Sequence, residues 1–230
     1  MKIKYYPEKV TEVFDDATFH ITYCIKFIKK FLKKDILEVG AGCGSFTKIY
    51  SSKSFNSITL TEIDKNNLKS LKQIFHKKKI FITNKKINKI KRSFDSIMYL
   101  HVLEHIKDDK KEILYASKKL KKNGFLIFMV PAHQKMYSRL DKLVGHYRRY
   151  NIKFFKKNFY NLKLIKIHYL DSMGFILYFL NKIFFKDENY PSKFKIFIWD
   201  KLFTPLSVII DFITFYKFGK CILAIYKKSN

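Results

Sequence analysis

Three short stretches of the sequence combine residue types and spacings that can carry chemistry. Three of the seven glycines in the 230 residues are Gly40, Gly42 and Gly44, within DILEVGAGCGSFTKIY. Glycine concentrates where the backbone turns with positive φ or closely approaches another group. Glu62 follows this turn by about 20 residues, a spacing at which a carboxylate can accept hydrogen bonds from ribose hydroxyls. Residues 145–150, GHYRRY, add a proton-exchanging histidine and paired arginines.

The segments around these residues predict strands that alternate with helices. Apolar and β-branched runs predict seven strands, at 36–39, 56–64, 80–83, 94–100, 125–131, 162–170 and 220–228. Amphipathic spacing predicts helices between them, one of which is expected to end at Gly124 as its C-cap. This order predicts an α/β, Rossmann-like, doubly wound and mostly parallel seven-stranded sheet. Helices cover both faces, and an aromatic insertion precedes the last strand.

The glycine turn departs from the dinucleotide fingerprint, because Ser45 occupies the position of the third glycine. The stretch EVGAGCG instead resembles the first motif of the class I S-adenosylmethionine-dependent methyltransferases. The resemblance implies S-adenosyl-L-methionine as cofactor, with the glycine turn under its methionine part. It implies the cofactor-binding residues Glu38, Gly40, Ala41, Gly42, Gly44, Glu62, Ile63, Asn84, Leu100 and His101.

Some of these positions leave an alternative open. Glu62 can instead be a surface carboxylate, and Asp64 is both the neighbouring candidate and the expected N-cap of the next helix. Asn84 stands where many members of the family have aspartate, although its amide oxygen can still accept a hydrogen bond. In the stretch FDSIMYLHVLEHIKDD, Glu104 and His105 are expected to begin or brace the following helix.

The stretch VPAHQKMYSRLDKLVGHYRRYN resembles a bacterial methyltransferase subfamily with a GHxRRY motif, often linked to glycan or lipid-linked sugar biosynthesis. The candidate catalytic residues are His146, Tyr137, Arg148, Arg149 and Asp141. Histidine has an ordinary pKa near 6.5, so His146 is the candidate general base and Asp141 its orienting partner. The arginines can fork onto a phosphate or carboxylate. The alternative is that Arg149 and Asp141 form an internal ion pair, with Tyr150 in the core.

The resemblance implies a single methyltransferase domain over residues 1–230. Its parts are an N-terminal helical segment (1–34), a cofactor-binding core (35–131), a substrate-loop region (132–161) and an aromatic insertion or cap (175–216). The insertion either extends the core or forms a patch that contacts a membrane surface, since apolar residues alternate with lysines there.

Composition limits the partners and the compartment. The net charge is +28, from 47 Lys+Arg and 19 Asp+Glu, and both a functional and a purely compositional origin stay open. Cys24, Cys43 and Cys221 match no disulfide or metal spacing, so we expect no metal site. The same cysteine usage predicts a reducing, cytoplasmic location. No signal peptide and no spanning segment are expected, although peripheral contact with the inner membrane face stays open.

Together these features predict S-adenosylmethionine-dependent methyl transfer to a small-molecule acceptor. We expect O-methylation of a glycan, a lipid-linked molecule or another anionic metabolite that carries phosphate or carboxylate. One alternative is RNA methylation, but no RNA-binding module is present and the fourth strand ends in YLHVLEH rather than an NPPY-type loop. The other is a protein that binds the cofactor or a membrane without turnover.

Overall fold

The computed structural model of the protein describes residues 14–52, 54–184 and 192–229. The first 13 residues of the predicted N-terminal segment and residues 185–191 of the predicted aromatic insertion lie outside the described residues. No helix in the described ranges has the length and the apolar character needed to cross a bilayer.

The centre of the fold is one seven-stranded sheet with the order β3-β2-β1-β4-β5-β7-β6. Strands β1 to β5 pair in parallel, and β7 runs antiparallel to both β5 and β6. The predicted α/β, mostly parallel architecture is confirmed. The strands are β1 Asp35–Val39, β2 Ser57–Thr61, β3 Ile80–Thr83, β4 Phe94–Leu100, β5 Leu120–Pro131, β6 Leu162–Leu170 and β7 Cys221–Lys228.

Helices connect the strands and cover the sheet. They are α1 Thr18–Ile28, α2 Ser45–Tyr50, α3 Lys65–Ile74, α4 Asp109–Lys119, α5 Arg139–Leu143, α6 Ile152–Phe155, α7 Ser172–Phe184, α8 Lys193–Ile198 and α9 Thr204–Ile213. Along β4, Ile97 and Tyr99 belong to one hydrophobic cluster, whereas Met98 and Leu100 belong to another. Because neighbouring strand residues point to opposite faces, both faces of the sheet are buried.

The predicted end of the fourth helix at Gly124 is wrong. Helix α4 ends at Lys119, and Leu120 already pairs with Phe94 as the first residue of β5. The register then shifts before Ser96 pairs with Phe125, so the intervening residues bulge from the strand. A Cβ on Gly124 would lie 2.6 Å from the Leu120 side chain, and this close approach within the bulge explains the glycine.

The insertion between β6 and β7 is helical and is attached to helix α1 by buried carboxylates. It contains α7, α8, a π-helical turn Trp199–Phe203, and α9. Asp211 accepts a hydrogen bond from the Tyr23 hydroxyl at 2.8 Å, and Asp200 accepts one from the His20 backbone N–H at 2.8 Å. We call this helical layer and the turn that follows it (described residues 172–184 and 192–217) the cap.

Candidate active site

The predicted cofactor-binding residues meet at the carboxyl edge of the parallel strands. Gly40 follows β1, Glu62 follows β2, Asn84 follows β3 and His101 follows β4. The chain leaves β1 for β2 and β3 and then returns to place β4 on the other side of β1. A crevice therefore opens between the loops after β1 and β4, which is where open α/β sheets bind ligands.

The glycine turn is a backbone cradle with an open side. Gly40, Gly42 and Gly44 have φ values of +66°, +58° and +84°. A Cβ on Gly44 would lie 2.5 Å from the Phe75 ring, so a side chain there would displace the segment after helix α3. A Cβ on Gly42 would meet no protein atom within 4 Å. Gly42 therefore borders free space, as a surface that receives a ligand must.

Glu62 is a buried carboxylate tied to this cradle. Its side chain accepts the backbone N–H groups of Gly42 and Asp64, each at 2.8 Å. Burial raises the pKa of Glu62, and these backbone hydrogen bonds partly offset the rise. Each carboxylate oxygen has a further lone pair for a ribose hydroxyl. The alternative of a surface carboxylate is wrong, because Glu62 is only 7% exposed. Asp64 caps helix α3 as predicted.

Glu38 lies beneath the glycine turn and joins β1 to helix α2. One of its oxygens accepts the hydroxyls of Thr47 at 2.6 Å and Tyr50 at 2.7 Å. Burial raises the pKa of Glu38 to about 7, against the effect of these two donors. Glu38 therefore acts on the cradle by positioning helix α2.

The other predicted cofactor contacts divide by exposure. Ala41 and Leu100 are buried in a hydrophobic cluster. Ile63 and Asn84 are exposed at the ends of their strands, and His101 is partly exposed with a positive φ of 57°. A ligand in the crevice can therefore be contacted directly by Ile63, Asn84 and His101. The buried side chains of Ala41 and Leu100 instead pack in the hydrophobic cluster.

The segment after β5 forms a closed loop at the carboxyl edge of the sheet. Ala132 and Tyr150 form an isolated parallel bridge, and the Tyr150 N–H donates to the Pro131 carbonyl at 2.9 Å. We call residues 132–150 the β5 loop. Its two ends are held together at the carboxyl end of β5, and the Tyr147 N–H donates to the Glu104 carbonyl at 2.8 Å, so the loop packs against the segment after β4.

Asp141 is the buried centre of the β5 loop. One of its oxygens accepts His146 Nδ1 at 2.7 Å and Arg149 Nε at 2.8 Å. Burial raises the pKa of Asp141, but the hydrogen bonds from these two residues outweigh it and hold the pKa well below its ordinary value. An ionised carboxylate has no hydrogen to donate, so His146 Nδ1 carries the proton. In the neutral ring, Nε2 then keeps its lone pair.

Both arginines of the GHYRRY stretch have protein partners. Arg149 pairs with Asp141, the internal ion pair that the sequence left open, and Tyr150 is buried. Arg148 Nη1 lies 2.6 Å from Asp109, which also accepts the Tyr150 hydroxyl at 2.9 Å. The Tyr137 hydroxyl donates to the His146 carbonyl at 2.6 Å. These contacts brace the loop around His146.

Sequence reasoning missed that Glu104 belongs to this site. Glu104 and His105 lie in the 3₁₀ turn Leu103–His105, separate from helix α4. Glu104 is fully buried, and neither of its carboxylate oxygens has a hydrogen-bond partner among the described residues. Its Oε1 lies 3.9 Å from His146 Nε2 and 3.9 Å from His101 Nδ1. Burial raises the pKa of Glu104 to about 8. The adjacent acid and histidine in LEH were the only local signal.

The strand order, the glycine cradle and the ribose-side carboxylate define the class of Rossmann-like methyltransferases. Residues 17–174 match the family model described as a methyltransferase domain, and the chain belongs to this family. It is an S-adenosylmethionine-dependent methyltransferase, and S-adenosyl-L-methionine is its cofactor, as predicted. The free space at Gly42 and the remaining lone pairs of Glu62 fit this molecule. The comparison with curated proteins finds no match.

Solved structures with similar folds include two N-methyltransferases. The N-methyltransferase NodS from Bradyrhizobium japonicum WM9 is 14% identical, with a TM-score of 0.58, and the match covers 94% of this chain and 99% of that chain. Coclaurine N-methyltransferase, solved with N-methylheliamine and SAH, is 12% identical, with a TM-score of 0.61, and the match covers 92% of this chain and 72% of that chain. At these identities the likeness concerns the fold.

Proposed function

We propose that the protein methylates an oxygen atom of a small anionic acceptor of the glycan or lipid-linked class. The observation that carries this proposal is the 2.7 Å contact between His146 and Asp141 beside the crevice. A hydroxyl nucleophile gains from a base within hydrogen-bond reach. The GHxRRY pattern supports the subfamily linked to glycan or lipid-linked sugar biosynthesis, and the net charge of +28 supports an anionic acceptor.

In this mechanism the chain mainly positions the acceptor. Bound S-adenosylmethionine supplies an electrophilic methyl group on a sulfonium. The acceptor hydroxyl would lie beside His146, and its proton would pass to His146 Nε2. Asp141 keeps the proton of the neutral ring on Nδ1 and stabilises the imidazolium that forms. Tyr137, Arg148 and Arg149 hold the β5 loop in this position through their contacts with His146, Asp109 and Asp141.

His146→Ala tests the role of the base. We expect turnover to fall by about 10²–10⁴-fold, because the proton acceptor is lost. Affinity for S-adenosylmethionine, measured by calorimetry, should stay unchanged. The assay follows labelled methyl transfer from S-adenosylmethionine into polar and lipid extracts, with His76→Ala as control because His76 is an exposed histidine on the loop between α3 and β3.

Two results would contradict O-methylation. One is near-normal turnover by His146→Ala, and the other is a product that mass spectrometry identifies as a methylated amine. The high charge also favours RNA as a second candidate acceptor. Labelled methyl groups in total RNA, and none in the extracts, would support that candidate. Cofactor binding without any product would support the non-catalytic alternative.

We propose further that the cap touches an anionic membrane surface at the cytoplasmic face, where a lipid-linked acceptor is available. The cap exposes large apolar side chains, among which Phe212 is 70% and Phe215 is 75% exposed. Exposed lysines accompany them, and an apolar surface with a basic rim suits an anionic leaflet. The exposed large apolar residues of the cap are Phe179, Leu180, Phe194, Phe197, Leu202, Leu206, Ile209, Phe212, Ile213 and Phe215, and exposed lysines among them are Lys193, Lys195, Lys201 and Lys217.

Sedimentation with vesicles that contain phosphatidylglycerol tests the membrane contact. We expect binding at low salt that weakens at high salt, because surface charges are screened. The double variant Phe212→Ala/Phe215→Ala should bind less than Phe81→Ala, which removes an exposed aromatic ring from strand β3. Absence of binding at both salt concentrations would remove this part of the proposal.

A further inference from the structure

Ligand atoms suited to a metal ion converge between the loops after β4 and β5. One ligand atom from each of Glu104, His105 and His146 lies within 4.8 Å of the other two. Glu104 is fully buried, and both of its oxygens lack a hydrogen-bond partner among residues that the structure describes. A buried carboxyl group without a hydrogen-bond partner is costly, and a cation that binds its oxygens would remove this cost.

The surroundings of His146 have the form of a metal ligand's support. Its Nδ1 donates to Asp141 at 2.7 Å, which leaves Nε2 as the acceptor, 3.9 Å from Glu104 Oε1. Metal-binding histidines usually donate their other ring N–H to a carboxylate, because this fixes the ring and its tautomer. Asp141 is itself held by Arg149 at 2.8 Å and by the Ser138 N–H at 2.9 Å.

We propose that Glu104, His105 and His146 bind one divalent transition-metal cation of the Zn²⁺ type. One carboxylate and two imidazoles are a donor set of catalytic zinc sites, whereas Mg²⁺ and Ca²⁺ prefer oxygen ligands. Metal–ligand bonds of about 2.0–2.2 Å put neighbouring ligands roughly 3.3 Å apart in a tetrahedral site. The 3.9 Å between His146 Nε2 and Glu104 Oε1, and the separations of up to 4.8 Å among the three ligand atoms, therefore have to shorten when the cation binds. The sequence predicted no metal site. The three ligands come from two loops that are far apart in the sequence, so they form no local spacing pattern.

This inference rests on the acceptor chemistry of the proposed function, since the same crevice would receive the acceptor hydroxyl, and it replaces only the base. Three protein ligands leave one coordination position open. An acceptor hydroxyl bound at that position would lose its proton more readily and release it to solvent. His146 would then hold the cation instead of taking the proton itself.

The full-length protein, stripped with EDTA and dialysed, is titrated with CoCl₂ and with ZnCl₂. We expect one cation per chain, with Co²⁺ absorption bands that indicate nitrogen and oxygen ligands at low coordination number. Glu104→Gln and His105→Gln each remove one ligand and should abolish this stoichiometric binding. Asp141→Asn should weaken the affinity by about 10–100-fold, because it alters the support of His146.

His76→Gln is the matched control, because it removes an exposed histidine elsewhere and should bind like the wild type. Thermal melting of each metal-free variant establishes that it is folded. If Glu104→Gln does not fold, His105→Gln provides the test of the metal site. The proposal would be overturned if the wild type binds no cation at one per chain. It would also be overturned if the folded variants Glu104→Gln and His105→Gln bind the cation as tightly as the wild type.

Methyl transfer separates this inference from the proposed function. If the EDTA-treated protein turns over as fast as the loaded protein while His146→Ala is inactive, the metal site falls and the base assignment stands. If binding depends on Glu104 but no extract yields a methylated oxygen, the metal site stands and the proposed acceptor chemistry falls.

Discussion

Two glutamates, one on each side of the crevice, are similarly buried, but only one of them has hydrogen-bond partners for its side chain within the described ranges. Glu38, 2% exposed beneath the glycine turn, accepts two hydroxyl groups. Glu104, fully buried beneath the β5 loop, accepts none among the described residues. Burial raises the pKa of Glu38 to about 7 and that of Glu104 to about 8. The difference indicates that Glu38 supports the fold, whereas Glu104 is placed for a ligand.

The same contrast extends to the regions around them. The cofactor side is built mainly from backbone, with a glycine turn whose Gly42 N–H binds Glu62. The acceptor side is built from charged side chains that neutralise one another, as Asp141 does for Arg149 and Asp109 for Arg148. We therefore expect substitutions on the acceptor side to cost more folding stability than comparable ones on the cofactor side.

Asp141→Ala should have the largest effect. It leaves the guanidinium of Arg149, which is 8% exposed, without its carboxylate. Breaking a buried pair in this way costs about 3–5 kcal/mol of unfolding free energy. The matched variant on the cofactor side, Asp64→Ala, removes a helix cap and should cost about 0.5–2 kcal/mol. Urea unfolding measures both, and equal losses would remove the contrast.

Glu38→Gln tests the cofactor side through pH. Burial raises the pKa of Glu38 from 4.5 to about 7, so between these values the folded protein keeps a proton that the unfolded chain has lost. The stability of the wild type should therefore fall as the pH rises through this window. Glutamine still accepts Thr47 and Tyr50 but does not titrate.

The variant should therefore gain stability relative to the wild type across this window, by up to about 3 kcal/mol. Unfolding free energies of both proteins from pH 4.5 to 8 provide the measurement. Parallel curves would show that Glu38 does not titrate as its burial requires.

Gly42→Ala and Gly145→Ala form a pair with the smallest expected effect on stability. Both glycines have positive φ, at +58° and +86°, so each alanine should cost about 1–2 kcal/mol. A Cβ on Gly42 would enter the free space beside the glycine turn, whereas a Cβ on Gly145 would lie 3.9 Å from His105 Nδ1. Calorimetry should therefore show weaker S-adenosylmethionine binding for Gly42→Ala and unchanged binding for Gly145→Ala. Equal affinities would mean that the free space at Gly42 is not part of the cofactor site.

The sequence by itself determined the succession of strands along the chain, the glycine turn, and Asp64 as the N-cap residue of helix α3. These features have local causes, namely the alternation of apolar residues, the need for positive φ and a side chain that binds its own helix. Glu62 was also accessible to this reasoning, because its distance from the turn is set by one strand–helix–strand unit. The end of helix α4 could not be predicted in this way, because Gly124 lies in a bulge that forms only when β5 pairs with β4.

Only the tertiary structure decided what the charged residues of the acceptor side do. Arg148 finds Asp109 across 39 positions of the sequence, and Glu104 meets His146 only after two separate loops fold over the same strand ends. Burial is likewise a property of the assembled sheet. Whether a carboxylate is satisfied or left without a donor depends on such long-range contacts, and no local pattern encodes them.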